Sequence, residues 1–265
     1  MDRFVHNGIT LEYEADEAGI PFVFLHGMGG SVDQIRAAYE PLPGVRLINL
    51  NQQGHGNSEA DWDRYDFDRL ADDVIALLDH LGIERAVLGG ISMGAAVSLN
   101  AAVRCPERVM QLLLIRNAWT DHPMPEAVCA AYRDLGNALK NRSPGEFYAS
   151  EGWRTVKEPS AYTRNTFLGT FEDSSCVRFW QKYLILPGKT PIPDIGVLDR
   201  LTMPVTIIAC RGDLCHPYEY GEYLAGKVAD ASFVEIPNKD TDSAAHKRMS
   251  NEVIRRIFEG IIAAS

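Results

Sequence analysis

The chain has 265 residues, with 36 Asp and Glu against 26 Lys and Arg and a formal net charge of -10. A length of this order buries a substantial core and suits one α/β body with an insertion, while the acidic balance argues against nucleic acid or an anionic membrane as the main partner. No apolar run is long enough to span a bilayer, and Met1–His6 enters a strand-like pattern at once without a basic leader, so a cytoplasmic protein is expected.

In chain order, Phe4–His6 and Ile9–Tyr13 flank Asn7-Gly8, a strong hairpin signal that predicts an antiparallel pair. Short, almost continuously apolar runs come next at Phe22–Leu25, Val45–Leu50, Ala86–Leu88, Gln111–Ile115, Val205–Ala209 and Phe233–Ile236, as strands covered on both faces require. Between them lie helical patterns. The clearest starts at a cap, Asp66, sets Phe67, Leu70, Val74, Leu77, Leu78 and Leu81 on one face, and stops at Gly82. This alternation predicts a mostly parallel, doubly wound sheet. It breaks over residues 119–200, where Ala127–Lys140 and Cys176–Leu184 read as amphipathic helices and no strand is evident, so residues 1–118 and 201–265 are assigned to the core domain and 119–200 to a helical lid. The five cysteines are scattered without paired spacing, which predicts free thiols and no zinc site.

Gly90-Ile91-Ser92-Met93-Gly94 lies between an apolar run and the small-residue stretch Ala95–Leu99. Strand, sharp turn and helix in this order expose the serine above the sheet edge, which makes Ser92 a candidate nucleophile. A serine hydroxyl needs a base, a group that orients the base, and donors for the developing oxyanion. The Met93 amide, at the helix start, is one candidate donor. The other is the Met28 amide in His26-Gly27-Met28-Gly29-Gly30, where glycines admit close backbone approach and His26 itself reads as a loop tie. Asp213, in Cys210-Arg211-Gly212-Asp213 after a late strand, is the candidate acid. For the base, the chain order Ser, Asp, His points to His246, at the start of a final helix in which His246, Met249, Val253, Ile257 and Ile261 share one face. His216, beside the proposed acid, and His55, on another edge loop, are the alternatives.

Taken together, His26-Gly27-Met28-Gly29, Gly54-His55-Gly56-Asn57-Ser58, Gly90-Ile91-Ser92-Met93-Gly94 and Gly212-Asp213 resemble the α/β-hydrolase superfamily over nearly the whole chain outside the lid. The resemblance implies the α/β-hydrolase fold, with Ser92 as nucleophile, Asp213 as acid, and Met28 and Met93 as oxyanion donors. Two stretches depart from the family pattern. The usual D-x-R-G-x-G-x-S loop is Asn51-Gln52-Gln53-Gly54-His55-Gly56-Asn57-Ser58, without its bracing Arg and Asp, and Thr241 stands where the family's histidine is expected. A serine at the nucleophile position argues against the dehalogenases and epoxide hydrolases of this fold, which use Asp.

Arg116 and Trp119, after the strand at Gln111–Ile115, place a cation and an aromatic at the lid's mouth and are the candidate substrate-binding residues. The leading expectation is a cofactor-free, metal-free serine hydrolase that cleaves a small carboxylic ester or lactone through an acyl-enzyme. A small-molecule-binding protein on a hydrolase scaffold, or a lyase or carbon–carbon bond hydrolase, is the alternative. The expected partner is a small-molecule substrate, with no nucleic acid and no membrane; a homo-oligomer is left open.

Overall fold

The computed structural model describes residues 1–264. Its eight strands are β1 (Asp2–His6), β2 (Ile9–Ala15), β3 (Ile20–Leu25), β4 (Val45–Asn51), β5 (Ala86–Ile91), β6 (Val109–Ile115), β7 (Val205–Ala209) and β8 (Ser232–Glu235). They form one sheet in the order β1-β2-β4-β3-β5-β6-β7-β8. The Asn7-Gly8 turn, with both residues at positive φ, joins β1 to β2, and β2 pairs antiparallel with β4; from β4 to β8 all pairing is parallel. The predicted hairpin and every predicted strand are present.

The period of two along the strands divides the core between two faces. Phe22 and Phe24 of β3 pack with Val87, Leu113 and Ile208 on one face, whereas Val23 and Leu25 pack with Leu88, Leu112 and Ile207 on the other. The first face is covered by α1 (Val32–Ala38) and the last helix, the second by α2 (Phe67–His80) and α3 (Met93–Arg104). The Asp66 carboxylate caps α2 by accepting from the Arg69 amide at 2.9 Å, as its sequence predicts.

Between β6 and β7 the chain forms six α-helices and no strand: α4 (Glu126–Lys140), α5 (Pro144–Ala149), α6 (Glu151–Lys157), α7 (Ala161–Gly169), α8 (Ser174–Arg178) and α9 (Gln181–Ile185). The stretch Cys176–Leu184 is not one helix: Phe179 leaves helical geometry and α8 and α9 are separate turns. Aromatic side chains fill this insertion, with Tyr132 stacked on Phe167 at 4.8 Å and Phe147 on Phe167 at 5.9 Å. They are its core. The insertion touches the body at the carboxyl ends of the strands, where the fully buried Lys182 donates to the Gly54 carbonyl at 2.8 Å. After β7 come α10 (Tyr218–Ala225), β8 and α11 (Lys239–Ala264), which is interrupted at Asp242 by non-helical backbone. Asp242 caps the longer part of α11 by accepting from the Ala245 amide at 2.8 Å.

Candidate active site

Ser92 sits between β5 and α3 with φ 58° and ψ -112°, a left-handed conformation costly for a residue with a side chain. Close packing of the turn holds it there. A Cβ on Gly90 would lie 2.0 Å from the Gly94 carbonyl carbon, and one on Gly94 would lie 2.2 Å from the Leu25 carbonyl oxygen. Glycine at both positions therefore lets the start of α3 press against the end of β3. The same contact draws the loop after β3 to the serine, so that a Cβ on Gly27 would stand 3.4 Å from the Ser92 Cβ.

That loop is fixed by neutral histidines. His26 donates from Nδ1 to the Gly27 carbonyl and accepts at Nε2 from the Gln52 amide. His55 donates from Nδ1 to the Gln53 carbonyl and accepts at Nε2 from the Gly29 amide. Burial pulls the His26 imidazole down to about 4 and His55 well below its ordinary value, so both are uncharged, fully committed ties and neither is free to act as a base. The Gly27, Gly29 and Gly30 amides have acceptors in Gln34, His55 and the Gly27 carbonyl. Among the described residues the Met28 amide has none. The Met93 amide opens α3 and has no acceptor within the helix. Both expected oxyanion donors are thus uncommitted amides on the two segments that converge at Ser92.

The Asn51–Ser58 loop, which lacks the family's bracing ion pair, is held instead by hydrogen bonds of its uncharged side chains. Gln53 donates to Asp73, Tyr65 donates to the Gln53 carbonyl at 3.1 Å, and Ser58 bridges the Asn51 carbonyl and the Glu12 amide.

The histidine beside Ser92 is not the expected one. Ser92 Oγ donates to His216 Nε2 at 2.8 Å, and His216 Nδ1 donates to Asp213 Oδ1 at 2.8 Å. The expectation that His246 reaches Ser92 is not met: its Nδ1 donates to the Pro237 carbonyl at 2.8 Å, and burial pulls its imidazole down to about 4. The reason is local. Asp242 breaks the chain before the helix proper, and His246 then falls on the face of α11 turned to the sheet, on the same stripe as Val253 and Ile257. Thr241, at the family's histidine position, is exposed. The spacing Asp213-x-x-His216 is the sequence signal for the alternative base, since a loop that ends at Pro217, where α10 begins, brings two residues three apart to one side.

Asp213 is placed as anticipated, after β7. Its Oδ2 accepts from Arg116 Nε at 2.8 Å and Nη2 at 2.5 Å, leaving Oδ1 for His216 and the Cys215 amide. Burial alone would raise the carboxyl, but the His216 and Arg116 charges outweigh it and hold it well below the usual carboxylate range. Burial also lowers the His216 imidazole, with Asp213 opposing and Arg116 assisting. Arg116, expected at substrate, is buried and paired with Asp213, and it also lines a neighbouring cavity. Trp119 is buried as well, its indole donating to the Pro187 carbonyl and its ring edge-on to Phe67 at 5.2 Å. No group of three His, Cys, Asp or Glu side chains is arranged to hold a metal ion among the described residues, and no helix there is long and apolar enough to cross a membrane.

A sequence model of the alpha/beta hydrolase fold family matches residues 20–240. The chain is 42% identical over 273 residues to 3-oxoadipate enol-lactonase 2 of Acinetobacter baylyi, covering 97% of this chain and 96% of that protein. It is 46% identical over 128 residues to the dihydrolipoyllysine-residue acetyltransferase component of the acetoin cleaving system of Pseudomonas putida, a match that takes in 48% of this chain and 34% of that protein. Among solved structures, the α/β hydrolase MGS-M2 from a Medee basin deep-sea metagenome library superposes with a TM-score of 0.79 at 18% identity over 97% of both chains.

Proposed function

The chain belongs to the α/β-hydrolase family and is a hydrolase, and from that premise we propose that it cleaves small carboxylic esters and lactones through an acyl-enzyme on Ser92, with His216 as base and Asp213 as the group that orients it. The observation that carries this reading is the unbroken hydrogen-bond chain from Ser92 Oγ through the His216 ring to Asp213, 2.8 Å at each link. Asp213 fixes the tautomer with the proton on Nδ1, so the lone pair on Nε2 faces the serine hydroxyl. His216 takes the Ser92 proton as Oγ attacks the acyl carbon, and the Met28 and Met93 amides receive the resulting oxyanion. As the tetrahedral species collapses, the imidazolium returns the proton to the leaving alkoxide. Water then enters, is deprotonated by His216, and frees the acid and Ser92. The enol-lactonase relative supports a lactone or ester as substrate.

A fluorophosphonate probe tests the nucleophile directly, because it reacts only with an activated serine. Peptide mapping of the folded, labelled protein is expected to place one adduct on Ser92; an unlabelled Ser92 overturns the reading. The pH dependence has a defined sign. His216 must be neutral to act as base, and its folded value lies below 6.5, so kcat/KM rises through an acid limb centred below pH 6.5 and is level above it. A rate profile on a neutral p-nitrophenyl ester checks this, and a limb centred above pH 6.5 would contradict it.

A further inference from the structure

A cavity of about 560 Å³ lies on the sheet face between α1 and the start of α11, away from the core of the insertion. Its floor is apolar, made by Phe24, Ile91, Ile115 and Ile254, whereas Arg116, Lys239 and Lys247 bring three cations to its wall. None of its lining residues is Asp or Glu, in a chain where acids outnumber bases 36 to 26. Arg116 is already matched by Asp213. Lys239 is not matched: its Nζ donates to the Tyr162 hydroxyl at 2.8 Å and lies over that ring, and it has no carboxylate partner among the described residues. Lys247 has none either. Ser92 does not line the cavity but lies near it: lining Gln34 accepts from the Gly27 amide, Gly27 packs against the serine, and lining Arg116 is paired with Asp213.

We propose that this cavity receives a carboxylate carried by the substrate, so that the preferred ester or lactone has a short apolar chain ending in an anion. Lys239 and Lys247 meet the carboxylate, and Phe24, Ile91 and Ile115 cover the methylenes between it and the acyl carbon. This rests on the reading of Ser92 as nucleophile. An apolar floor with a few convergent polar groups is the usual make-up of a small-molecule site, and two cations with no carboxylate partner among the described residues leave the anion to come from outside.

The test compares two substrates of equal length, mono-p-nitrophenyl glutarate and neutral p-nitrophenyl valerate, in the parent protein and in Lys239→Met and Lys247→Met. Each substitution is expected to raise KM for the glutarate about tenfold, the worth of one hydrogen bond to a charged group. kcat is expected to hold, and the valerate kinetics are expected to change little. Equal effects on both esters, or none, overturn the proposal. Titration with free glutarate separates it from the nucleophile reading, using the His246 ring signals in nuclear magnetic resonance as the readout. If glutarate moves them in the parent and not in Lys247→Met while neither ester is hydrolysed, the cavity stands and the nucleophile reading falls. If valerate is hydrolysed and glutarate moves nothing, the reverse holds.

Discussion

His216→Gln is expected to lower kcat/KM on a neutral ester by at least about 10,000-fold, because one group both takes the Ser92 proton and returns it to the leaving group. His246→Gln is expected to leave turnover nearly unchanged. It removes only a hydrogen bond to the Pro237 carbonyl, worth about 1 kcal/mol of stability. The contrast is informative because both histidines are largely shielded from solvent and both lie after Asp213 in the chain. Proximity to Ser92 is what separates them: His216 Nε2 is 2.8 Å from Oγ, and the hydrogen bond of the His246 ring points elsewhere. Steady-state kinetics of the two variants, with circular dichroism to establish folding, decide the matter. A silent His216→Gln, or a collapse of activity in His246→Gln, would return the base to α11.

Arg116→Met is expected to damage stability and catalysis together. Arg116 and Asp213 are 5% and 7% exposed at their side chains, and removing one partner of a buried pair typically costs about 3–5 kcal/mol because the other charge stays out of water. The backbone contributes nothing to the difference, since Arg116 holds φ 55° and methionine would bear the same strain. The pH dependence is set by the direction of the Asp213 shift. Its carboxyl is held below 3.8, so the stabilisation is fully present above that pH and is lost as the pH falls toward the folded value. Urea unfolding at neutral pH is thus expected to show the full deficit, and the deficit should narrow in acid. Catalysis supplies a second readout. Arg116 lowers the His216 imidazole while Asp213 raises it, so without Arg116 the acid limb of kcat/KM moves to higher pH. Arg116→Lys keeps the charge but cannot direct two N–H groups at Oδ2, and partial recovery is expected. A loss of stability with no movement of the acid limb would make Arg116 a structural ion pair only.

Much of the fold was legible because its signals are local. Asn7-Gly8 dictates its own turn, Asp66 caps the residues after it, and runs such as Val205–Ala209 are apolar at all but one position because both sheet faces are covered. The placement of Ser92 was legible for the same reason: Gly90 and Gly94 are demanded by contacts within and beside a single turn. The partners of Arg116 and Trp119 were not, since position after a strand says which edge a residue occupies and not what it meets there. The histidine beside Ser92 was misassigned for a related reason. Chain order favours a histidine after the last strand, but the contact that matters is between loops more than a hundred residues apart. Helical periodicity did put His246 on an inward face, and that same inward face is why its ring ends in the layer under α11.

With the proposed base on the loop after β7, the segment after β8 has another task. Asp240 accepts from the Ser160 hydroxyl and the Tyr162 amide, and Lys239 donates to the Tyr162 hydroxyl, so the stretch that would carry the family's histidine fastens the helical insertion to the body.

Asp213 and His216, only three residues apart, also share one fate. In a triad drawn from three loops, each loop can fray alone and remove a single participant. Here one local opening between Cys210 and Pro217 would carry away both the proton acceptor and its counter-charge, leaving the serine with neither. Activity would then track the order of that short segment as an all-or-none property, with Arg116 from the end of β6 as the bolt that keeps it shut.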